Sequence, residues 1–171
     1  MSTLSKSCLE RCHKLGFTKP YLVDVTKFGS QAARGLSDYI NADHHGTMAW
    51  LEETQERRGH PLNLWPDAKT AIIVGLNYGP DSDPLLTLEQ HDKATISVYA
   101  RNKDYHNLIK GKLKEFAGLI ARDTDQDVKV FVDTAPLMEK PLAAAAGLGG
   151  KESTQILLAA IMGHGYFWVS F

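Results

Sequence analysis

DVKVFVDTAPLMEKPLAAAAGLGG, residues 127–150, is the stretch on which the fold turns. It opens with VKVFV, Val128 to Val132, which is β-branched or aromatic apart from Lys129 and reads as a short, buried strand. Asp133 and Thr134 follow where that strand should end, and Pro136 bars a continuing ladder. From Glu139 to Ala146 the composition is helical, and Pro141 is tolerable only in a first turn. Gly147, Gly149 and Gly150 then stop the helix. A carboxylate at the C-terminal end of a strand, facing a helix that follows at once, lies where open α/β sheets place their ligands. Asp is also a common turn residue, so Asp133 has a second reading as a simple turn cap.

Outward from this stretch, the chain reads as strands alternating with amphipathic helices. Thr70 to Tyr78, TAIIVGLNY, is the clearest strand, and its continuous apolar run suits the middle of a sheet with helices on both faces. Tyr105 to Ala121 is an amphipathic helix with Leu108, Ile109, Leu113, Phe116, Ala117 and Ile120 on its apolar side. Lys110, Lys112 and Lys114, with Arg101 and Lys103 upstream, line its other side. That is a local basic cluster able to meet phosphate, or an ordinary solvated face. Further helices are expected over residues 3–15, 31–39 and 48–58, with short strands over 21–25 and 96–100. In the helix at 48–58, Met48, Leu51 and Trp50 form the apolar face. The long polar loop between Tyr78 and Ile96 is of a length that is often functional.

With 171 residues, 43% hydrophobic and 23% charged, the chain is one α/β (α+β) domain with a sizeable core. A net charge of -1 argues against a surface that binds nucleic acid through bulk charge, and DNA is not expected as a partner. No apolar run approaches the roughly 20 residues of a membrane span, and the polar N-terminus lacks a signal-peptide core. A cytoplasmic location without membrane association is expected. The two cysteines, Cys8 and Cys12, share a helix face and could be half a metal site, but they do not complete a tetrahedral set even with His13. Asp43, His44 and His45 are adjacent, and adjacent side chains rarely converge on one ion, so a turn is expected there. No metal ligands are assigned. Phosphate-loop, dinucleotide, nucleophile-elbow and zinc-protease motifs are all absent.

Four segments in order carry a specific resemblance: HHGTMAWL, ERRGHPLNLWPDAKTAIIVGLNY, ISVYARNKDYHNLIKGKL and VDTAPLMEKPLAAAAGLG. Together they resemble the N-terminal, cobalamin-binding half of the epoxyqueuosine reductases, which complete queuosine in tRNA, over roughly residues 1–149. The resemblance implies a nitroreductase-like mixed sheet with flanking helices. It implies a cobalamin-dependent reduction of epoxyqueuosine at the tRNA wobble position, fed by two [4Fe–4S] clusters. It makes Asp133 the proton donor, with Thr134 beside it in the same motif. Arg58, Tyr99, Tyr105 and His106 fall on cofactor-contacting segments. The chemistry is coherent: expelling an epoxide oxygen as water needs protons as negative charge builds on that oxygen. A carboxyl supplies one near neutral pH only where burial against an apolar group raises its pKa. The two electrons must come from cofactors, since no side chain here provides them.

The chain departs from the family after Gly149. Cluster ligation takes four thiolates per cluster, and two cysteines near the N-terminus cannot supply them. The ferredoxin-like and helical-repeat domains of the family have no counterpart in these residues. Written in permitted codons and read from the third base of Ser153, the tail gives HTNLVSRDYGSWLFLGEF, which resembles the family's next segment. Residues 150–171 are therefore expected to be an out-of-frame tail on a truncated domain incomplete at its C-terminus. On that reading the sheet lacks a strand and exposes an edge. The other reading makes the apolar run Ile156–Met162 a helix packed on the core.

Overall fold

The computed structural model describes residues 4–101, 104–148 and 156–164, the last stretch as backbone only and without the side chains of Pro84 and Tyr99. Lys103, Gly149, Gly150 and the tail outside 156–164 lie outside the described residues.

The sheet is built on β2 (Ala68–Asn77). Its order is β1-β2-β4-β3, with β1 at Tyr21–Asp24, β3 at Val128–Phe131 and β4 at Ile156–His164. β2 is buried on both faces, as its apolar run predicts. Ile72 and Val74 enter one core, while Ala71 and Ile73 enter the other.

The first core is closed by α1 (Lys6–Lys14) and α6 (Tyr105–Thr124). Ser5 caps α1 by accepting the Cys8 N–H at 3.1 Å, and Leu4, Cys8 and Cys12 are buried at helical spacing. From α6 come Ile109, Leu113, Phe116 and Ile120, all 1% exposed or less. The second core holds Val23, Val25, Trp65, Leu137, Leu142 and Ala143, the last two from α7 (Glu139–Ala145). Gly147, at φ 77°, ends α7 in a left-handed turn: its N–H reaches Ala144 O, and the Leu148 N–H reaches Ala143 O. The α/β domain with helices on both sheet faces is thus present.

Several expectations need correction. Every described strand pair is antiparallel, not mixed, so the ligand rule for open parallel sheets does not apply to Asp133. β3 is half-buried rather than well buried, because it is the sheet edge; only Val132 beyond it is fully covered. The apolar run at 156–162 is neither a helix nor missing from the sheet. It lies in β4, pairing Ile72 with Ile161 on one side and Val130 with Ile161 on the other. Short apolar runs of this length do not separate strand from helix by periodicity.

Residues 96–100 form no strand: Val98–Ala100 is a 3-10 turn and Ile96 is 60% exposed. The helix at 48–58 is broken at Thr54 into α3 (Ala49–Glu53) and α4 (Gln55–Gly59), following α2 (Gln31–Asn41) and preceding the single turn α5 (Pro61–Leu64). Met48 and Trp50 are exposed rather than an inward apolar face, and so is Leu108 of α6.

Candidate active site

Three elements that are distant in sequence meet at Asp133. β3 delivers the residue, α6 delivers Tyr105 in its first turn, and α7 delivers Glu139 as its first residue. Tyr105 is aimed by the cap of its helix: the Asp104 carboxylate accepts the His106 N–H at 2.9 Å and fixes the N-terminus. The Tyr105 hydroxyl donates to Asp133 Oδ2 at 2.6 Å. The Asp133 backbone N–H donates to Glu139 Oε1 at 3.2 Å.

Asp133 has φ 49°, a left-handed conformation that costs an L-residue about 1 kcal/mol. The Thr134 N–H folds back to Val132 O at 2.5 Å, closing a three-residue turn on Asp133. A second such turn follows at once, with the Leu137 N–H on Ala135 O at 2.7 Å. The chain therefore reverses tightly between the edge strand and α7. Asp133 and Thr134 are left exposed while Val132 and Leu137 are buried. Asp133 is more than a turn cap, because its carboxylate reaches across to another helix.

Glu139 was not singled out by sequence, and it is the most perturbed carboxyl of the site. Burial first, then the adjacent Asp133 carboxylate, pushes it up to about 8. At neutral pH it holds its proton. The signal available in sequence was a carboxylate in the first turn of the helix that follows Asp133.

The remaining expected residues are placed less closely. His106 lies beside Tyr105, with the two rings stacked at 4.3 Å, and its Nδ1 donates to Asp104 at 2.6 Å. Thr134 is in the turn itself. Arg58 is on α4, where its Nε donates to Thr54 Oγ1 at 2.8 Å and its guanidinium sits 4.8 Å from the Trp50 ring centre. Thr54 is the break between α3 and α4, and Trp50 lies on α3. Tyr99 is in the 3-10 turn at Val98–Ala100.

Among the described residues, no cluster of His, Cys, Asp and Glu could hold a metal ion. Asp43 to Gly46 is a turn, as expected, with Asp43 at φ 57°. Cys8 donates to Asp123 Oδ2 and Cys12 to Thr18 O. Burial pushes the Cys12 thiol up to about 12 and raises Cys8, so both remain thiols rather than metal-binding thiolates. They do not fit a cluster. No described helix is long and apolar enough to cross a membrane.

Comparison with known proteins shows what the sequence and fold are similar to. A family model described as "Epoxyqueuosine reductase QueG, DUF1730" matches residues 58–134. The epoxyqueuosine reductase of Cyclobacterium marinum is 33% identical over 98% of this chain and 54% of its own length. That of Escherichia coli is 30% identical over 90% of this chain and 41% of its own. The chain thus spans about half the length of these curated relatives.

Among solved structures, the epoxyqueuosine reductase from Streptococcus thermophilus superposes with a TM-score of 0.73 at 18% identity, covering 96% of this chain and 47% of that one. The Bacillus subtilis enzyme, solved with an aspartate's catalytic loop swung out of the active site, gives 0.69 at 16% identity over 97% of this chain and 47% of that one. A third, solved with an epoxyqueuosine-modified tRNA stem loop, gives 0.68 over 96% of this chain and 46% of that one. In sequence and in fold, the chain is similar to the epoxyqueuosine reductases over about half of their length.

Proposed function

We propose that this chain carries the acid side of an epoxyqueuosine reductase site, with Asp133 delivering a proton to the departing epoxide oxygen of the modified tRNA base. The supporting observation is the convergence of Tyr105 and Glu139 on Asp133 across an exposed, strained turn. Losing an epoxide oxygen as water takes two electrons and two protons. A corrinoid bound against this turn would supply the electrons.

This chain's residues supply and direct the proton. Asp133 is open to an approaching base, and Tyr105 orients its carboxylate through Oδ2. Glu139, pushed up to about 8, keeps a transferable proton in the pair at neutral pH. The donor set fits this role: a buried carboxyl that keeps its proton beside an exposed one, a phenol and an accessible edge. Thr134 follows Asp133 in the turn and His106 stacks on Tyr105, and these two with Arg58 and Tyr99 are proposed as contacts to the corrinoid. The relative solved with its aspartate loop swung out supports a role for this turn in catalysis. tRNA is proposed as the partner from the relative solved with a tRNA stem loop.

A second reading is a cobalamin-binding domain that holds the corrinoid without itself carrying the electron supply. The 171 residues hold two cysteines, both buried, and so offer no ligand set for the family's iron–sulfur clusters. Mixing the purified chain with cob(II)alamin and following its visible spectrum and gel-filtration retention tests the common part of both readings. Co-elution with a shifted spectrum is expected. An unshifted spectrum with free corrinoid would refute both.

A further inference from the structure

Asp133 reaches its position through a conformation the backbone does not favour, so something must hold it there. The ladder does not. β3 pairing to β4 ends at Phe131 opposite Ala160, two residues short of the turn. The turn closes on itself through Thr134 N–H and Leu137 N–H, which leaves the Asp133 N–H to be satisfied from outside. Glu139 Oε1 accepts it.

Glu139 is well rooted for that task. It begins α7, whose Leu142 and Ala143 are 1% and 2% exposed in the second core. A carboxyl oxygen accepts the backbone N–H whether or not the group carries a proton. A glutamate at the start of a helix ordinarily faces its own helix N-terminus or solvent. Here it faces back across the turn.

We propose that Glu139 is the positioning residue of the Asp133 turn, bonding the Asp133 N–H so that the aspartate is held in the left-handed conformation and in reach of Tyr105. Its catalytic meaning rests on Asp133 being the acid; the positioning itself does not. Glutamine at this position keeps the acceptor, through its side-chain carbonyl. Methionine keeps the bulk and the helix propensity but offers no comparable acceptor.

The test is amide hydrogen exchange, resolved by NMR, on the full 171-residue chain without added corrinoid, so its outcome is independent of whether corrinoid binds. In Glu139→Met, exchange at Asp133 and Thr134 should rise about fivefold, the loss of one net hydrogen bond. Amides of β2 should keep their wild-type rates. Glu139→Gln should restore Asp133 and Thr134 to the wild-type rate. Two results would overturn the proposal: wild-type exchange at Asp133 in Glu139→Met, or exchange in Glu139→Gln as fast as in Glu139→Met. A variant that unfolds is recognised by fast exchange in β2, and Glu139→Gln against wild type then decides alone.

Discussion

The turn at Asp133 and the helical segment around Arg58 both carry residues matching the same family's motifs, and they are built in opposite ways. Asp133 is held from outside its own segment, by a phenol 28 residues away and a carboxyl from the next helix. Arg58 is held from within, by Thr54 one turn earlier and by the Trp50 ring. A side chain fixed by near neighbours in sequence depends little on packing elsewhere in the fold. One fixed by three converging elements depends on the packing that brings them together, and it can be released by moving any one of them. The first design suits a surface contact and the second a group that must be poised.

The difference can be broken at its root by removing the packing. Phe116 is fully buried on α6, the helix that carries Tyr105. Phe116→Ala should cost about 3–5 kcal/mol in urea unfolding, enough to loosen or unfold the domain. In the folded fraction the Tyr105–Asp133 contact should weaken while the Arg58–Trp50 contact persists.

Titration acts next. Glu139 sits at about 8 in the fold against 4.5 for the free side chain, so the folded state binds the extra proton between those values. Stability is therefore greatest at the acid end of that window and falls as pH rises through it. Glu139→Gln should flatten this decline in thermal unfolding monitored from pH 4.5 to 8. An unchanged slope would show that Glu139 does not titrate where the geometry places it.

Tyr105→Phe removes one hydrogen bond to Asp133 and should cost about 1 kcal/mol. A shift of the Asp133 carboxyl carbon resonance should accompany it. The smallest effect is expected on the other side of the comparison. Trp50→Ala removes an exposed cation–π contact worth about 0.5 kcal/mol and should leave the Asp133 amide untouched.

How far the sequence carries the reader follows the same division. β2 was legible because continuous apolar residues leave few alternatives for a central strand, and α6 was legible because its period is helical over five turns. Asp133 was legible as a carboxylate ending a strand. Its partner Glu139 was not, because the contact depends on two successive tight turns that bring a helix start back beneath the strand end. The break at Thr54 was also hidden. Its hydroxyl donates to Trp50 O at 2.6 Å and receives Arg58, a local competition with the helix ladder that residue type alone does not reveal. The run at 156–162 was ambiguous for a different reason: its strand identity comes from β2 and β3 on either side, not from its own pattern.

The most direct test of the Asp133 site is hydrogen exchange of the chain with and without saturating hydroxocobalamin. Protection should rise over residues 132–139 and at Tyr105 and His106, the elements that converge on the aspartate. Binding that leaves those amides unchanged, with protection confined to another face of the domain, would contradict the account.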